Sequence, residues 1–253
     1  MIQVLKKPAL AEPLFGDWPE TILWSCLQDV MGVIYADDPI APRSAAAILG
    51  DFCFLAGEPL QALAALALQD RDSRILIPQD NRWNSAIIRQ FGAYAVPITR
   101  YATRKDPAAF DCLHLQKLAA GLENSYTIRI IDKSLYDLCN KELWSRDLVS
   151  QFPDWPAFRD LGLGFVVLQN GQLLSGASSY SRYRDGIEIE IDTHPDYRRQ
   201  GLALACGAQL ILECLNRGLY PSWDAHTPAS LALAERLGYT LSHPYSAFFV
   251  SAP

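Results

Sequence analysis

EIEIDTHPDYRRQGLALACGAQLILECL, residues 188–215, is the stretch from which the fold is read. It continues the strict apolar–polar alternation of GIEIEIDT (186–193), which predicts a strand. A short loop follows, and the apolar run from Gly201 to Arg217 predicts a long helix. The junction has chemical consequences. The first amides of a helix lack intrahelical acceptors, and they share the positive end of its dipole. Together they make a cradle for an anion. Gly201 lets the anion approach the backbone without a Cβ in the way, and Ala203 keeps the first turn slim. Arg198 and Arg199 add positive charge.

Downstream, LYPSWDA (219–225) predicts a strand, and Pro228 to Leu237 a helix stopped by Gly238. YTLSHPYSAFFV (239–250) closes the chain as extended structure. Upstream, YTIRIID (126–132) alternates as a strand, residues 133–152 carry helical spacing, and 154–162 predict a short helix. LGFVVLQ (163–169) and QLLSGASSYSRY (172–183) are strands joined by Asn170-Gly171, the residue pair that a type I′ hairpin turn favours. The order is strand, helices, three antiparallel strands, helix, strand, helix, strand.

The first half also mixes strands and helices. Residues 18–35 and 42–50 have helical spacing, as do 58–69, 81–91 and 106–124. DFCFLAG (51–57) and SRILIP (73–78) predict buried strands, and 93–105 is extended. These patterns place a smaller α/β domain over residues 1–120 before a second domain over 121–253. RQFGAYAVPITRY (89–101) faintly echoes ERLGYTLSHPYSAF (235–248), which leaves open that the first domain is a degenerate copy of the second, one that lacks its glycine turn.

Half the residues are hydrophobic and a fifth charged, a globular composition. No apolar run is long enough for a transmembrane helix, and the N-terminus lacks the apolar stretch of a secretory signal. The six cysteines form no CxxC pair, so they read as buried thiols of a cytoplasmic protein and no metal site is expected. With a net charge of -6 and no basic block, neither nucleic acid nor membrane is an expected partner.

The segment 188–215 and SLALAERLGY (230–239) resemble the GNAT N-acetyltransferase superfamily, whose Arg/Gln-x-x-Gly-x-Gly/Ala signature is matched by Arg198, Gly201 and Ala203. The likeness covers roughly residues 126–250 and looks closest to a two-domain bacterial branch that includes zwittermicin-resistance-type acetyltransferases. It implies a mixed, mostly antiparallel sheet flanked by helices. It also implies acetyl-CoA as cosubstrate, with the pyrophosphate on the amides of Arg199, Gln200, Gly201, Leu202 and Ala203. The pantetheine arm would lie as an added strand beside Ile191, Asp192 and Thr193, which requires strand 186–193 to splay from strand 219–225. A backbone amide near Asp192 or Thr193 would polarise the thioester. Ser230 is a further cofactor contact. The implied acceptor is a primary amine of a small molecule. A CoA-binding module without turnover and a protein N-acetyltransferase are the alternatives.

An ammonium substrate must lose a proton before it attacks a thioester. Glu188, Glu190 and Asp192 share one face of strand 186–193, and carboxylates on a covered face are costly unless they line a wet cleft. Glu190, then Glu188, are the candidate proton acceptors. Ion pairs with Arg182 or Arg184 are the competing explanation for these acids. The tyrosine that many GNAT enzymes use as acid is replaced around Leu233-Ala234. Tyr220, Ser222, His226, Ser230, Tyr239 and solvent stay open as substitutes.

Overall fold

The structure, a computed structural model, describes residues 2–252. The chain divides into two compact units, Met1–Arg100 with Pro244–Pro253, and Tyr101–His243. The first contains β1 (Gln3–Val4), α1 (Glu12–Phe15), α2 (Thr21–Leu27), β2 (Val33–Ala36), β3 (Ser44–Leu49) and β4 (Phe52–Gly57). It continues with α3 (Gln61–Ala65), β5 (Ser73–Pro78), α4 (Arg82–Phe91) and the start of β6 (Ala95–Thr103). The second contains α5 (Cys112–Ala119), β7 (Thr127–Ile130), α6 (Lys133–Cys139), α7 (Trp155–Leu161), β8 (Gly164–Gln169), β9 (Gln172–Tyr183) and β10 (Gly186–Thr193). Then come α8 (Leu202–Asn216), β11 (Tyr220–Ser222), β12 (Asp224–Ala225), α9 (Pro228–Arg236) and β13 (Leu241–Ser251), most of which belongs to the first unit.

In the second unit five strands form a sheet in the order β11-β10-β9-β8-β7. The pairs from β7 to β10 are antiparallel, and β10 and β11 are parallel. Asn170 and Gly171 take φ of 51° and 82°, as the tight β8–β9 turn requires. The apolar side of α8 (Leu202, Cys206, Leu210, Ile211 and Cys214) packs with Phe165, Val167, Ile187 and Ile189 in one core. Gly207 makes the close approach feasible, since a Cβ there would sit 3.0 Å from Ile191 Cδ1 and 3.0 Å from Leu237 Cδ1.

The first unit repeats the topology. Strands β2, β3 and β4 are antiparallel neighbours, α3 follows, and β5 pairs parallel with β4. The helix junction differs. After Gly57 come Glu58 and Pro59, an acid and a residue without an amide proton. The Gly57 amide donates to Gln79 Oε1 at 3.3 Å. No glycine-mouthed helix forms there, and α3 is five residues long.

Expectations for individual elements are corrected. Residues 42–50 are not helical. Ala45, Ala46 and Ala47 are fully buried in β3 between β2 and β4, and pairing on both sides overrides the helical preference of alanine. The first compact unit ends at Arg100 and resumes at Pro244. Phe110 and Leu115 belong to the core of the second unit, which claims α5, whereas Phe248 and Val250 belong to the core of the first. Elsewhere the expected 133–152 helix is confined to α6, followed by irregular turns and one short 3-10 turn, Arg146–Leu148.

Gly186 opens the parallel pair, and a Cβ there would meet Tyr220 O at 2.1 Å and the Tyr183 hydroxyl at 2.3 Å. Because the nearest obstacle is backbone, Gly186→Ala is expected to destabilise the chain by about 2–3 kcal/mol in urea unfolding.

Candidate functional site

The site begins where two strands part. The parallel register runs through Gly186↔Tyr220, Ile187↔Pro221 and Glu188↔Ser222, and stops. β10 continues to Thr193, while the chain beyond Ser222 turns away as β12, where Asp224 and Ala225 pair with Ala102 and Tyr101 of β6. Glu188 is 4% exposed, and its Oε1 accepts the Asp224 amide at 2.6 Å. Its carboxylate thus holds the crotch of the fork. The Thr103 hydroxyl donates to Trp223 O at 2.6 Å and fixes the diverging arm.

The mouth of α8 lies beside this fork. Arg199 and Gly201 both adopt left-handed φ, 64° and 81°. Gly201 is the N-cap and supplies no side-chain acceptor. The first hydrogen bond of the helix runs from the Ala205 amide to Gly201 O at 3.1 Å, so the amides ahead of Ala205 have no intrahelical acceptor. Nothing lies within 4 Å of the position a Cβ on Gly201 would take, so the cradle is open. Arg198 Nε donates to Thr193 O at 3.3 Å, which ties the loop to the end of β10.

A cavity of about 640 Å³ joins fork and mouth. It is lined by Ile191, Asp192 and Thr193 from β10, and by Arg198, Arg199, Gly201, Leu202 and Ala203 from the mouth. Ser230 lines it from α9. These are nine of the residues expected from sequence to hold the cofactor. Gln200 is not among the lining residues, and its side chain accepts the Tyr126 hydroxyl at 3.0 Å. The sequence reading missed the opposite wall, where Ala229, Ala232, Leu233 and Arg236 also line the cavity. Their spacing of three and four residues was a legible helical face. Trp223 is 5% exposed, packs edge-on against Tyr239 and also reaches the cavity.

The carboxylates share one face of β10, as alternation requires, and burial declines along the strand. Glu188 is buried, and Glu190 and Asp192 are half-buried. Neither glutamate is among the residues lining the cavity. Burial pushes the Asp192 carboxyl up to about 7, the Asp147 carboxylate adds to the rise, and Arg198 opposes it.

Two candidate acids are committed elsewhere. The Tyr239 hydroxyl donates to Pro221 O at 2.6 Å, and the Tyr220 hydroxyl donates to Arg104 O at 3.0 Å. Burial pushes the Tyr220 phenol up to about 12. Ser222 Oγ is buried at the fork with no hydrogen-bond partner among the described residues. Ala234, where the family tyrosine would stand, is fully buried.

A mixed sheet that forks at a parallel pair, with a glycine-mouthed helix beside the fork, is the frame of the GNAT fold. The chain belongs to the GNAT acetyltransferase family: the family model of that description matches residues 12–248. A GCN5-related N-acetyltransferase-like protein from Streptococcus suis 89/1591 superposes with a TM-score of 0.92 at 51% identity, covering 98% of this chain and 99% of its own. YdfB of Bacillus subtilis, described as an uncharacterized N-acetyltransferase, is 24% identical over 96% of both chains. The ribosomal protein bS18-alanine N-acetyltransferase of Escherichia coli is 35% identical over 80 residues, 30% of this chain and 54% of its own.

Asp192 makes stability depend on pH. The folded chain keeps its proton where the unfolded chain has lost it, so stability falls as pH rises from about 4 to about 7. Asp192→Asn removes this slope. In urea unfolding it should gain about 1–3 kcal/mol over the wild type at pH 8 compared with pH 5. An equal difference at both pH values would refute the assignment.

Proposed function

We propose that the chain transfers the acetyl group of acetyl-CoA to a primary amine of a small molecule, by direct attack in a ternary complex. The observation that carries this reading is the open mouth of α8, whose unpaired amides face the forked cavity among Arg198 and Arg199. Amides and arginines suit a pyrophosphate. In this reading the amides of residues 199–203 hold that group, and Ser230 faces it from α9. The edge of Ile191, Asp192 and Thr193, beyond the point where pairing with β11 stops, accepts the pantetheine arm as an extra strand. A backbone amide near Asp192 or Thr193 polarises the thioester carbonyl. The acidic face of Glu188, Glu190 and Asp192 receives the proton of the incoming ammonium. With Tyr220 and Tyr239 committed elsewhere, Ser222, whose hydroxyl is buried without a hydrogen-bond partner among the described residues, His226, Ser230 and solvent are the remaining proton sources for the departing sulfur.

We take the enzyme to act in the bacterial cytoplasm, in keeping with six free cysteines, and to belong with the two-domain branch resembling zwittermicin-resistance-type acetyltransferases. A protein acceptor is the second reading, favoured by the local match to the ribosomal-protein acetyltransferase.

A free-thiol assay with purified chain, acetyl-CoA and a panel of small amines and N-terminal peptides tests both readings. Thiol release that depends on a small amine is expected. Release with peptides alone would favour the second reading, and release with neither would overturn transfer. Calorimetry should find one acetyl-CoA per chain, because the junction after β4 carries Glu58 and Pro59 in place of a cradle. Gly201→Glu should abolish that binding while thermal unfolding stays cooperative, since a carboxylate would stand where the pyrophosphate sits. Unchanged affinity would end the cradle assignment.

A further inference from the structure

Three acids share one face of β10, and the surrounding structure treats them differently. Glu188 is enclosed and spends Oε1 on the Asp224 amide, so it is a clamp for the fork. Glu190 pairs in register with Ser178, whose hydroxyl donates to Leu148 O at 2.6 Å. Asp192 pairs with Gly176. A Cβ on Gly176 would fall 2.4 Å from Leu148 Cδ1, so Leu148 packs directly over the residue beside Asp192. Register partners on neighbouring strands point to the same face. The turn Arg146–Leu148 therefore covers the face that Asp192 presents, and it brings the Asp147 carboxylate with it.

The end of β10 is also held still. Ser175 Oγ donates to Asp192 O at 2.9 Å and lies 2.8 Å from Thr193 Oγ1. Of the residues lining the cavity, Asp192 alone bears a carboxylate. We infer that Asp192, and neither glutamate, is the catalytic proton acceptor for the incoming amine, and that Asp147 is a positioning residue that tunes it. This inference rests on the acetyl transfer proposed above and names the residue within that acidic face.

The groups facing the Asp192 carboxyl are Asp147 from the covering turn, Arg198 from the loop before α8, and Glu190 along the same strand. Burial and Asp147 hold its carboxyl near neutrality, where a base is strong enough to take a proton and still ionised in good part. In the step, the ammonium acceptor gives one proton to the Asp192 carboxylate. The freed nitrogen pair forms a C–N bond to the thioester carbonyl carbon, and the C–S bond breaks with its electron pair on sulfur. The nitrogen loses a second proton to solvent, and solvent or a nearby hydroxyl supplies the proton that the sulfur takes up, giving amide and thiol. Asp192 then releases its proton to solvent.

The test uses the full chain and the best amine from the thiol assay. Asp192→Asn should lower kcat by ~10²–10⁴-fold, while calorimetric affinity for acetyl-CoA is retained. Asp192→Glu should recover part of the rate. Asp147→Asn should move the acidic limb of the pH–kcat profile to lower pH, a change that mere loss of packing would not produce. A wild-type rate and profile in Asp192→Asn, or a larger loss in Glu190→Gln, would overturn the assignment and leave acetyl transfer standing. If the wild-type chain releases no thiol with any amine, the transfer reading itself fails.

Discussion

The parting of β10 from β11 is the constraint on which the site depends. A parallel pair that stayed in register to Thr193 would close the sheet and leave no edge for a ligand. Pairing stops at Glu188↔Ser222 because the next residues find other partners. Asp224 and Ala225 join β6, Thr103 takes Trp223 O, and the Asp224 amide is satisfied by a side chain instead of a strand. A buried carboxylate at 4% exposure would be expensive alone, and a short hydrogen bond to an amide offsets that cost. Glu188 therefore shapes the cavity by standing where a backbone carbonyl would otherwise be.

The cavity that results is electrically polarised. The mouth of α8 brings helix amides and Arg198 and Arg199, and Arg236 stands on the facing wall. The strand side brings Asp192, with Asp147 nearby. Basic groups and a single carboxylate thus border one space, and they meet at the end of β10, where Arg198 reaches Thr193 O and acts on Asp192. Partial burial is what lifts the Asp192 carboxyl toward neutrality, where a fully solvated aspartate would stay well below it.

The repeated topology carries two different junctions between strand and helix. Both units run three antiparallel strands, a helix and a parallel strand. In the second unit the helix opens on glycine and presents bare amides. In the first, an acid and a proline follow the strand, and Gln79 occupies the Gly57 amide. The frame is shared, and the chemistry of the junction decides which copy presents open helix amides.

Much of this was determined by the sequence alone. Strict alternation in 186–193 put three acids on one face, Asn170-Gly171 made the hairpin, and Gly201 opened a long apolar helix. These are local matters of side-chain period and allowed φ, so they can be read along the chain. The alanines of β3 misled for the opposite reason, because burial between two partner strands is a non-local property. Tertiary structure alone decided that Glu188 would serve the fork and that α9 would wall the cavity. It also decided that Leu148 would settle on Gly176 and bring Asp147 toward Asp192. Spacing says which acids share a face, but which of them keeps a buried amide and which meets the cavity depends on residues dozens of positions away.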